Sequence, residues 1–426
     1  MFGFLYSILR DLPLTSTTQP PLTVKWRNLT LLAIAELLAM TMWFSSSAVV
    51  PQLSAHWHLN EAQKAWVTMS VQIGFVLGAV ISAVLNLADR IDSRKLFAVC
   101  AFIGAGANAA IPFFDVDFPV ALVCRILTGV CLAGVYPPGM KLMATWCKED
   151  RGLGIGLLVG ALTFGSAVPH LLNALTLSEP QQMPDWQPVM YLTSGQAIVA
   201  AIIAGFCVQT GPHLGKSAPF NAQFALDAFR YKPTRLANFG YLGHMWELYA
   251  VWAWVPIFLK ESYKASEWDS VSAGLAGFGT VAIGAVGCIF AGLLADRIGR
   301  TTTAISSLLV SGICCLVAGF LFDYPGILTA LCLIWGFAVV ADSAQFSTAI
   351  SELADSRYVG TALTVQTSLG FLLTLLTIQL IPLMRQWQIS WQGILPLLAL
   401  GPIFGIWSMW RLRYLPEAAQ MASGNR

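Results

Sequence analysis

The chain has 426 residues, of which 56% are hydrophobic and 11% are charged, and its mean hydropathy is +0.67. Soluble globular proteins are typically about 25% charged, so this composition argues against a soluble enzyme or a nucleic-acid-binding protein. The 24 basic residues nearly balance the 22 acidic ones, and a net charge of +2 does not suit a protein that binds phosphate groups. The composition indicates an integral membrane protein, for which we expect no enzymatic activity, no cofactor, no metal ion and no nucleic-acid partner.

Twelve apolar runs are long enough to cross the hydrocarbon core of a bilayer, which takes about 20 residues of helix. They lie at 29–50, 66–88, 96–114, 119–140, 153–175, 189–210, 236–259, 271–294, 303–322, 325–347, 358–380 and 391–411. Turn and charge signals such as Asp115-Val116-Asp117 separate them. The sequence therefore predicts an all-α fold with twelve transmembrane helices.

The basic residues indicate the orientation of these spans. With the N-terminus inside, 19 of the 24 Lys and Arg residues fall in inner segments and 4 in outer segments, while Arg125 lies within a span. Because short cytoplasmic loops carry the excess of Lys and Arg, both termini are predicted to be cytoplasmic. We expect a multi-pass protein of the plasma membrane, specifically a bacterial inner membrane.

An internal repeat divides the chain into two halves. Residues 87–91 (LADRI) recur as residues 294–298, an offset of 207, and Arg151 and Arg357 mark later loops at an offset of 206. Since six is an even number, a duplicated six-span unit gives a parallel repeat. The predicted organisation is a cytoplasmic segment 1–28, a six-helix bundle 29–210, a cytoplasmic linker 211–235, a second bundle 236–411 and a cytoplasmic tail 412–426.

The repeated loops resemble the signature of the major facilitator superfamily, which reads Gly-x-x-x-Asp-Arg-x-Gly-Arg-Lys/Arg. The second half matches from Gly292 to Arg300 and departs at Thr301. The first half keeps the Asp-Arg pair but has Leu85 and Asp92 in place of the glycines. Span four adds a second family pattern, an Arg followed by spaced glycines: Arg125, Gly129 and Gly134.

This resemblance implies two six-helix bundles that rock around a central cavity lined by spans one, four, seven and ten. It implies that the partners of the protein are a small-molecule solute and the lipid bilayer. It implies no obligatory second copy, so we expect a monomer. It also implies gating roles for charged residues of the two repeated loops, namely Asp89, Arg90, Asp296, Arg297 and Arg300.

Charged side chains inside a bilayer are costly, so each one needs a partner, water or a function. The predicted cavity spans contain five ionisable residues: Glu36, Arg125, His244, Glu247 and Asp342. His170 is the comparable residue of span five. We predict a solute site formed by Arg125, Tyr241, His244 and Glu247, and proton-coupling roles for Glu36, Asp342 and His170.

Structural explanations stay open for several of these residues. Arg125 can serve as an ion-pair partner of Glu36, and Glu36 can lie near the inner interface in contact with water. Asp342 is close to the end of its predicted span. His170 follows Pro169, which frees a backbone carbonyl that an imidazole can satisfy.

The leading hypothesis is a secondary active transporter for a small anionic or zwitterionic organic solute, coupled to protons by symport. Carboxyl and imidazole groups can load and release a proton as access alternates. Span five lacks the Gly-x-x-x-Gly-Pro-x-x-Gly-Gly pattern of related antiporters, which favours uptake. Two alternatives stay open: an efflux antiporter for amphipathic drugs or siderophore-like compounds, and a non-transporting membrane receptor with the same fold.

Overall fold

The computed structural model describes residues 21–147, 151–175, 185–213, 228–355 and 358–426, except for the side chains of Ala88, Asp89 and Arg151. Most of the predicted segment 1–28, and residues 214–227 of the predicted linker, lie outside these ranges. The described chain is predominantly helical and contains no β-strand.

Six spans form the first half. Their α-helices are α1 (Leu22–Met40), α2 (Val50–Trp57), α3 (Glu61–Val84), α4 (Leu87–Arg90), α5 (Ser93–Phe113), α6 (Phe118–Ala133), α7 (Tyr136–Trp146), α8 (Arg151–Leu175) and α9 (Gln187–Ile202). Helices α1 and α2 make up span one, and α6 and α7 make up span four. Helices α3, α5, α8 and α9 form spans two, three, five and six, while α4 is a short helix in the loop after span two.

Six further spans form the second half. Their α-helices are α10 (Lys232–Ala265), α11 (Ser270–Ile298), α12 (Arg300–Val317), α13 (Pro325–Ala341), α14 (Ser343–Leu353), α15 (Val359–Gln386), α16 (Trp391–Leu398) and α17 (Leu400–Arg413). Span ten consists of α13 and α14, and span twelve of α16 and α17. Helices α10, α11, α12 and α15 form spans seven, eight, nine and eleven.

Ten helical segments of the described chain are long and apolar enough to cross a membrane. Spans one and seven are not among these ten, and their helices contain Glu36, His244 and Glu247. Together these twelve spans form two six-helix bundles, and the predicted fold class is confirmed. Below, the terminal side is the side of the bundle where α1 begins and α17 ends.

The two bundles contact each other along two pairs of spans. Span five packs against span eight, where a methyl group at Gly156 would lie 3.1 Å from the carbonyl oxygen of Cys288. Span two packs against span eleven, where the Thr374 hydroxyl donates a hydrogen bond of 2.9 Å to Gln72 Oε1. Small residues allow close helix approach in a bilayer, because association there depends on packing and hydrogen bonds.

Several spans are interrupted near the membrane centre. Span one turns without regular helix between Met40 and a short 3₁₀ segment that begins at Ser47. Span four is interrupted between Ala133 and Tyr136, and span ten at Asp342. Irregular backbone at membrane depth is tolerated where protein or a cavity surrounds it, so these interruptions indicate the functional region.

Spans two and four of the first half approach each other closely. A methyl group added at Gly129 would stand 2.0 Å from the carbonyl oxygen of Val71, well inside van der Waals contact. Gly106 offers the opposite case, because a methyl group there would meet no atom within 4 Å.

We therefore expect Gly129→Ala to lower the thermal unfolding midpoint of the detergent-solubilised protein, and Gly106→Ala to leave it nearly unchanged. Overpacking of this kind costs about 1–3 kcal/mol. Thermal denaturation of both variants beside the unmodified protein provides the measurement. Equal midpoints for the two variants would contradict this description of the packing.

Candidate functional site

A cavity of about 340 Å³ lies between the bundles and extends to the terminal side. Helix α14 contributes Ser347 and Ser351, span eleven contributes Thr364 and Thr367, and span two contributes Asn86 near its terminal end. The cavity is lined mainly by apolar and hydroxyl side chains.

A smaller cavity of about 50 Å³ continues deeper into the protein. The two cavities share Tyr136, Met140, Ile155, Ser347 and Thr367. The deeper one is also lined by aromatic side chains of spans seven and eleven, namely Tyr241, Tyr249 and Phe371. Its walls therefore present phenol rings and hydroxyl groups to whatever occupies it.

An aromatic cluster closes the deeper cavity toward the opposite side of the membrane. Trp43 of span one contacts Phe75, Phe371 and Tyr249, with ring centroids 5.0, 5.3 and 5.8 Å apart. Tyr249 in turn lies 5.3 Å from Trp252. These rings belong to both bundles, so this conformation is sealed on that side.

Among the described residues that line the two cavities, one carries a charge, and it is basic. Lys141 of α7 lies on the wall of the larger cavity and is half-buried. A positive side chain at this position can attract an anionic group of a solute.

Arg125 is buried and fastens the interrupted part of span one. Its Nη1 donates to the carbonyl oxygen of Met42 (2.9 Å), to Ser45 Oγ (2.9 Å) and to Asn108 Oδ1 (3.0 Å), and Nη2 donates to the Trp43 carbonyl (2.6 Å). Within the described chain, Arg125 has no carboxylate within ion-pair distance. The structure therefore does not pair it with Glu36 and does not place it on the cavity wall.

Glu36 is fully buried, and neither carboxyl oxygen has a hydrogen-bond partner among the described residues. Its Oε2 lies against Gly139, where a methyl group would be 2.6 Å away. Gly139 is three residues beyond Tyr136, so Glu36 stands directly behind the wall of the cavity. A buried carboxylate without a partner is costly in its charged form.

His244 and Asp342 form a buried pair between spans seven and ten. His244 Nδ1 lies 2.9 Å from Asp342 Oδ1, and each side chain is 1% exposed. Tyr241, one turn earlier on span seven, lines the cavity. Tyr241 thus lines the cavity and His244 faces span ten, and their roles in solute binding stay predictions.

Glu247 is held within the second bundle. Its Oε1 accepts hydrogen bonds from Trp335 Nε1 (2.6 Å), from the Cys315 thiol (3.2 Å) and from Ser311 Oγ. These donors join span seven to spans nine and ten. The structure does not bring Glu247 together with Arg125, so their joint role in solute binding stays a prediction.

His170 is buried beside Phe44, with ring centroids 6.4 Å apart, and its Nε2 has no hydrogen-bond partner among the described residues. It does not line either cavity. Its proposed part in proton coupling likewise stays a prediction.

The two repeated loops differ in backbone and in contacts. In the second, Arg300 pairs with Asp296 at 2.8 Å, and a methyl group at Gly152 of span five would lie 2.9 Å from Asp296 Oδ2. Arg297 is exposed. The loop turns at Gly299, whose φ of +96° is one that residues with a Cβ rarely adopt.

The first loop uses an acidic residue where the second uses Gly299. Asp92 has φ of −53°, and its side chain accepts the backbone N–H of Arg94 as the N-cap of α5. The Arg94 guanidinium donates to the same carboxyl and holds the pKa of Asp92 below its usual range. Arg90 is exposed, and the side chain of Asp89 lies outside the described part of the chain.

Several cavity residues were not identified by the sequence, notably Tyr136, Lys141, Tyr249, Thr367 and Phe371. One signal was present in span seven, because Tyr249 follows Tyr241 by two helical turns and so shares its face. Lys141 looked like one more inner basic residue. Hydropathy alone cannot separate Thr367 and Phe371 from lipid-facing or packing positions.

The structure thus combines two bundles, interrupted spans and an intervening cavity. A sequence profile of the Major Facilitator Superfamily matches residues 32–378, and the chain belongs to that family. It is therefore a multi-pass membrane protein of the Major Facilitator Superfamily.

Two solved structures show the same fold. The proton:xylose symporter XylE bound to 6-bromo-6-deoxy-D-glucose superimposes with a TM-score of 0.70 at 16% identity, covering 91% of this chain and 96% of that one. A bacterial homologue of the human lysosomal transporter Spinster, inward-facing and unoccupied, gives a TM-score of 0.65 at 16% identity, covering 91% and 94%.

Two characterised proteins are similar in sequence over part of their length. The niacin transporter NiaP of Acinetobacter baylyi is 30% identical over 132 residues, which is 29% of each chain. A gallate transporter of Pseudomonas putida is 22% identical over 309 residues, covering 64% of this chain and 66% of that protein. The matches thus span less than two thirds of either relative.

The contacts of Arg125 generate a stability prediction. We expect Arg125→Lys to destabilise the detergent-solubilised protein by about 1–3 kcal/mol, because an ammonium group cannot satisfy two carbonyls, a hydroxyl and an amide in one planar fork. Arg94→Lys, at the exposed pair with Asp92, should change stability by about a few tenths of a kcal/mol. Thermal unfolding midpoints test both, and an unchanged midpoint for Arg125→Lys would show that the fork is dispensable.

Proposed function

We propose that the protein carries a small aromatic carboxylate across the membrane by alternating access, coupled to protons. The observation that carries this proposal is the cavity between the bundles, which combines three tyrosines and Phe371 with one basic side chain, Lys141. Aromatic side chains bind a planar ring by stacking, and a cation binds the carboxylate.

The relatives support the same solute class. The two proteins similar in sequence are named as transporters of niacin and of gallate, and each compound is an aromatic ring with one carboxylate. This chemistry falls within the predicted class of small organic anions. It matches a cavity whose apolar walls suit a ring and whose hydroxyl groups suit ring substituents.

Lys141 is the residue that we assign to the carboxylate. It belongs to α7, the same helix as Tyr136, and projects one turn from Tyr136 toward the terminal side. A solute whose ring lies among the tyrosines can direct its carboxylate toward this lysine. We further propose that the terminal side is cytoplasmic, as the distribution of basic residues predicts, in a bacterial inner membrane.

Glu36 is the residue that we assign to the proton. It stands behind the cavity wall with both oxygens unpartnered among the described residues, next to Gly139 of α7, the helix that bears Tyr136 and Lys141. A conformational change that admits water to Glu36 on one side only would allow it to release its proton there. One of the structures with the same fold is a proton symporter, which is compatible with this assignment.

The first functional prediction concerns the charge of the solute. In proteoliposomes, Lys141→Gln should raise the KM for niacin and gallate uptake by about tenfold, because a hydrogen bond to a charged group contributes roughly 1.5–3 kcal/mol. Counterflow of nicotinamide, the uncharged amide of niacin, should not respond to this change. The control is Lys64→Gln, at a lysine paired with Glu61 away from the cavity. An unchanged KM for both acids would remove Lys141 from the site.

The second functional prediction concerns coupling. Glu36→Gln should abolish accumulation driven by a pH gradient while sparing solute counterflow, which needs no net proton movement. Glu61→Gln, a loop-side acid paired with Lys64, serves as the matched control and should accumulate normally. If Glu36→Gln still accumulates solute against its gradient, another group carries the proton, and Glu247 is the next to examine.

A further inference from the structure

Helix α14, the terminal half of span ten, is both a wall of the cavity and a mechanically distinct segment. It begins at Ser343, immediately after the interruption at Asp342, and ends at Leu353. Ser343, Ser347 and Ser351 of this helix line the two cavities. Any rotation of α14 about Asp342 would therefore change the width of the cavity.

The interruption is fastened by the buried pair already described. His244 Nδ1 lies 2.9 Å from Asp342 Oδ1, so span seven contacts span ten at the residue where the helix of span ten is interrupted. Both side chains are almost fully buried, and removal of one partner from such a pair is strongly destabilising. The pair thus lies where it can fix the angle between α13 and α14.

The same point is in contact with the solute cavity. Phe346, one turn into α14, packs on His244 and Tyr241 with ring centroids 5.5 and 6.1 Å apart. Tyr241 lines the deeper cavity, and its ring lies 6.1 Å from that of His244. A solute that displaces the Tyr241 ring can therefore push on Phe346, and through it on α14.

The far end of α14 is joined to the contact between the bundles. Glu352 accepts a hydrogen bond of 3.2 Å from Arg300, and Arg300 also pairs with Asp296 at 2.8 Å. The Asp296 carboxyl in turn lies against Gly152 at the start of span five, in the other bundle. Movement of α14 therefore strains the contact that closes the bundles beside the second repeated loop.

We propose that His244 and Asp342 are positioning residues that form the pivot of α14, so that occupancy of the solute cavity is transmitted to the contact between Asp296 and span five. Neither residue touches the solute in this role. The proposal rests on the proposed transport function for its biological meaning. It differs from a proton-carrying or solute-binding role for the same two residues.

The test measures the accessibility of α14 directly. A cysteine introduced as Ser351→Cys, at the cavity mouth, is labelled with a membrane-impermeant maleimide in nanodiscs. Exposed native Cys207 of the first bundle provides the reference rate, read by peptide mass spectrometry. The pivot variants are His244→Gln and Asp342→Asn, and the exchanged pair is His244→Asp with Asp342→His. Thr348→Val, which removes a hydroxyl that bonds within α14 itself, is the matched control.

Without solute, each single variant should change the labelling rate of the introduced cysteine, relative to that of Cys207, by about fivefold or more. The reason is that the buried His244–Asp342 pair no longer holds α14 in place. The exchanged pair should return labelling to within about twofold of the unmodified pair, as expected for two directly coupled residues. Thr348→Val should have no effect. If a single variant fails to fold, the exchanged pair decides: native labelling supports the pivot, and altered labelling overturns it.

Solute binding separates this proposal from the proposed function. In the protein with the unmodified His244–Asp342 pair, niacin and gallate should change the labelling rate of the introduced cysteine. The single variants should still bind both compounds, but their labelling rate should not change on binding. Failure of both compounds to bind any form would contradict the solute class alone, because the measurements without solute do not depend on it. Native labelling in both single variants, or a loss of binding without altered labelling, would overturn the pivot.

Discussion

The whole arrangement depends on one constraint: inside a bilayer, a helix that is interrupted exposes backbone carbonyls which water cannot satisfy. Span one is interrupted after Met40, and there the Arg125 guanidinium donates hydrogen bonds to the carbonyl oxygens of Met42 and Trp43. Asn108 accepts from the same guanidinium and donates to Ser194 of span six, so the fork joins four spans. A charge that is expensive in hydrocarbon thus becomes the group that permits irregular backbone beside the cavity.

The cavity follows from this arrangement. Once span one can bend, Trp43 reaches Phe75, Tyr249 and Phe371 and closes the route to the opposite side with rings from both bundles. What remains open on the terminal side is lined by tyrosine, serine and threonine side chains, with Lys141 as a charged residue on the wall. The buried carboxyl of Glu36, unpartnered among the described residues, lies behind that wall and not in it, which separates the group suited to a proton from the surface suited to a solute.

The two halves have different side-chain chemistry at their interrupted spans. In the first half a permanent cation binds neutral acceptors, whereas in the second half the imidazole of His244 lies against the carboxyl of Asp342 at the interruption of span ten. The repeated loops diverge similarly, because Gly299 turns the second loop with a positive φ and Asp92 caps a helix in the first. The same topology thus occurs twice in the chain, with different contacts in each half.

The sequence by itself determined the topology, because twelve apolar runs of sufficient length and a repeat at a fixed offset depend only on local composition and period. It also indicated which spans carry costly polar groups, since Glu36, Arg125, His244 and Asp342 are visible in any hydropathy profile. Only the tertiary structure decided what those groups face. Residues His244 and Tyr241 are three apart and share a helix face in the sequence, yet one contacts Asp342 and the other lines the cavity. Partner choice depends on the rotation of each helix and on where it is interrupted, and both are set by packing between spans that lie far apart in the chain.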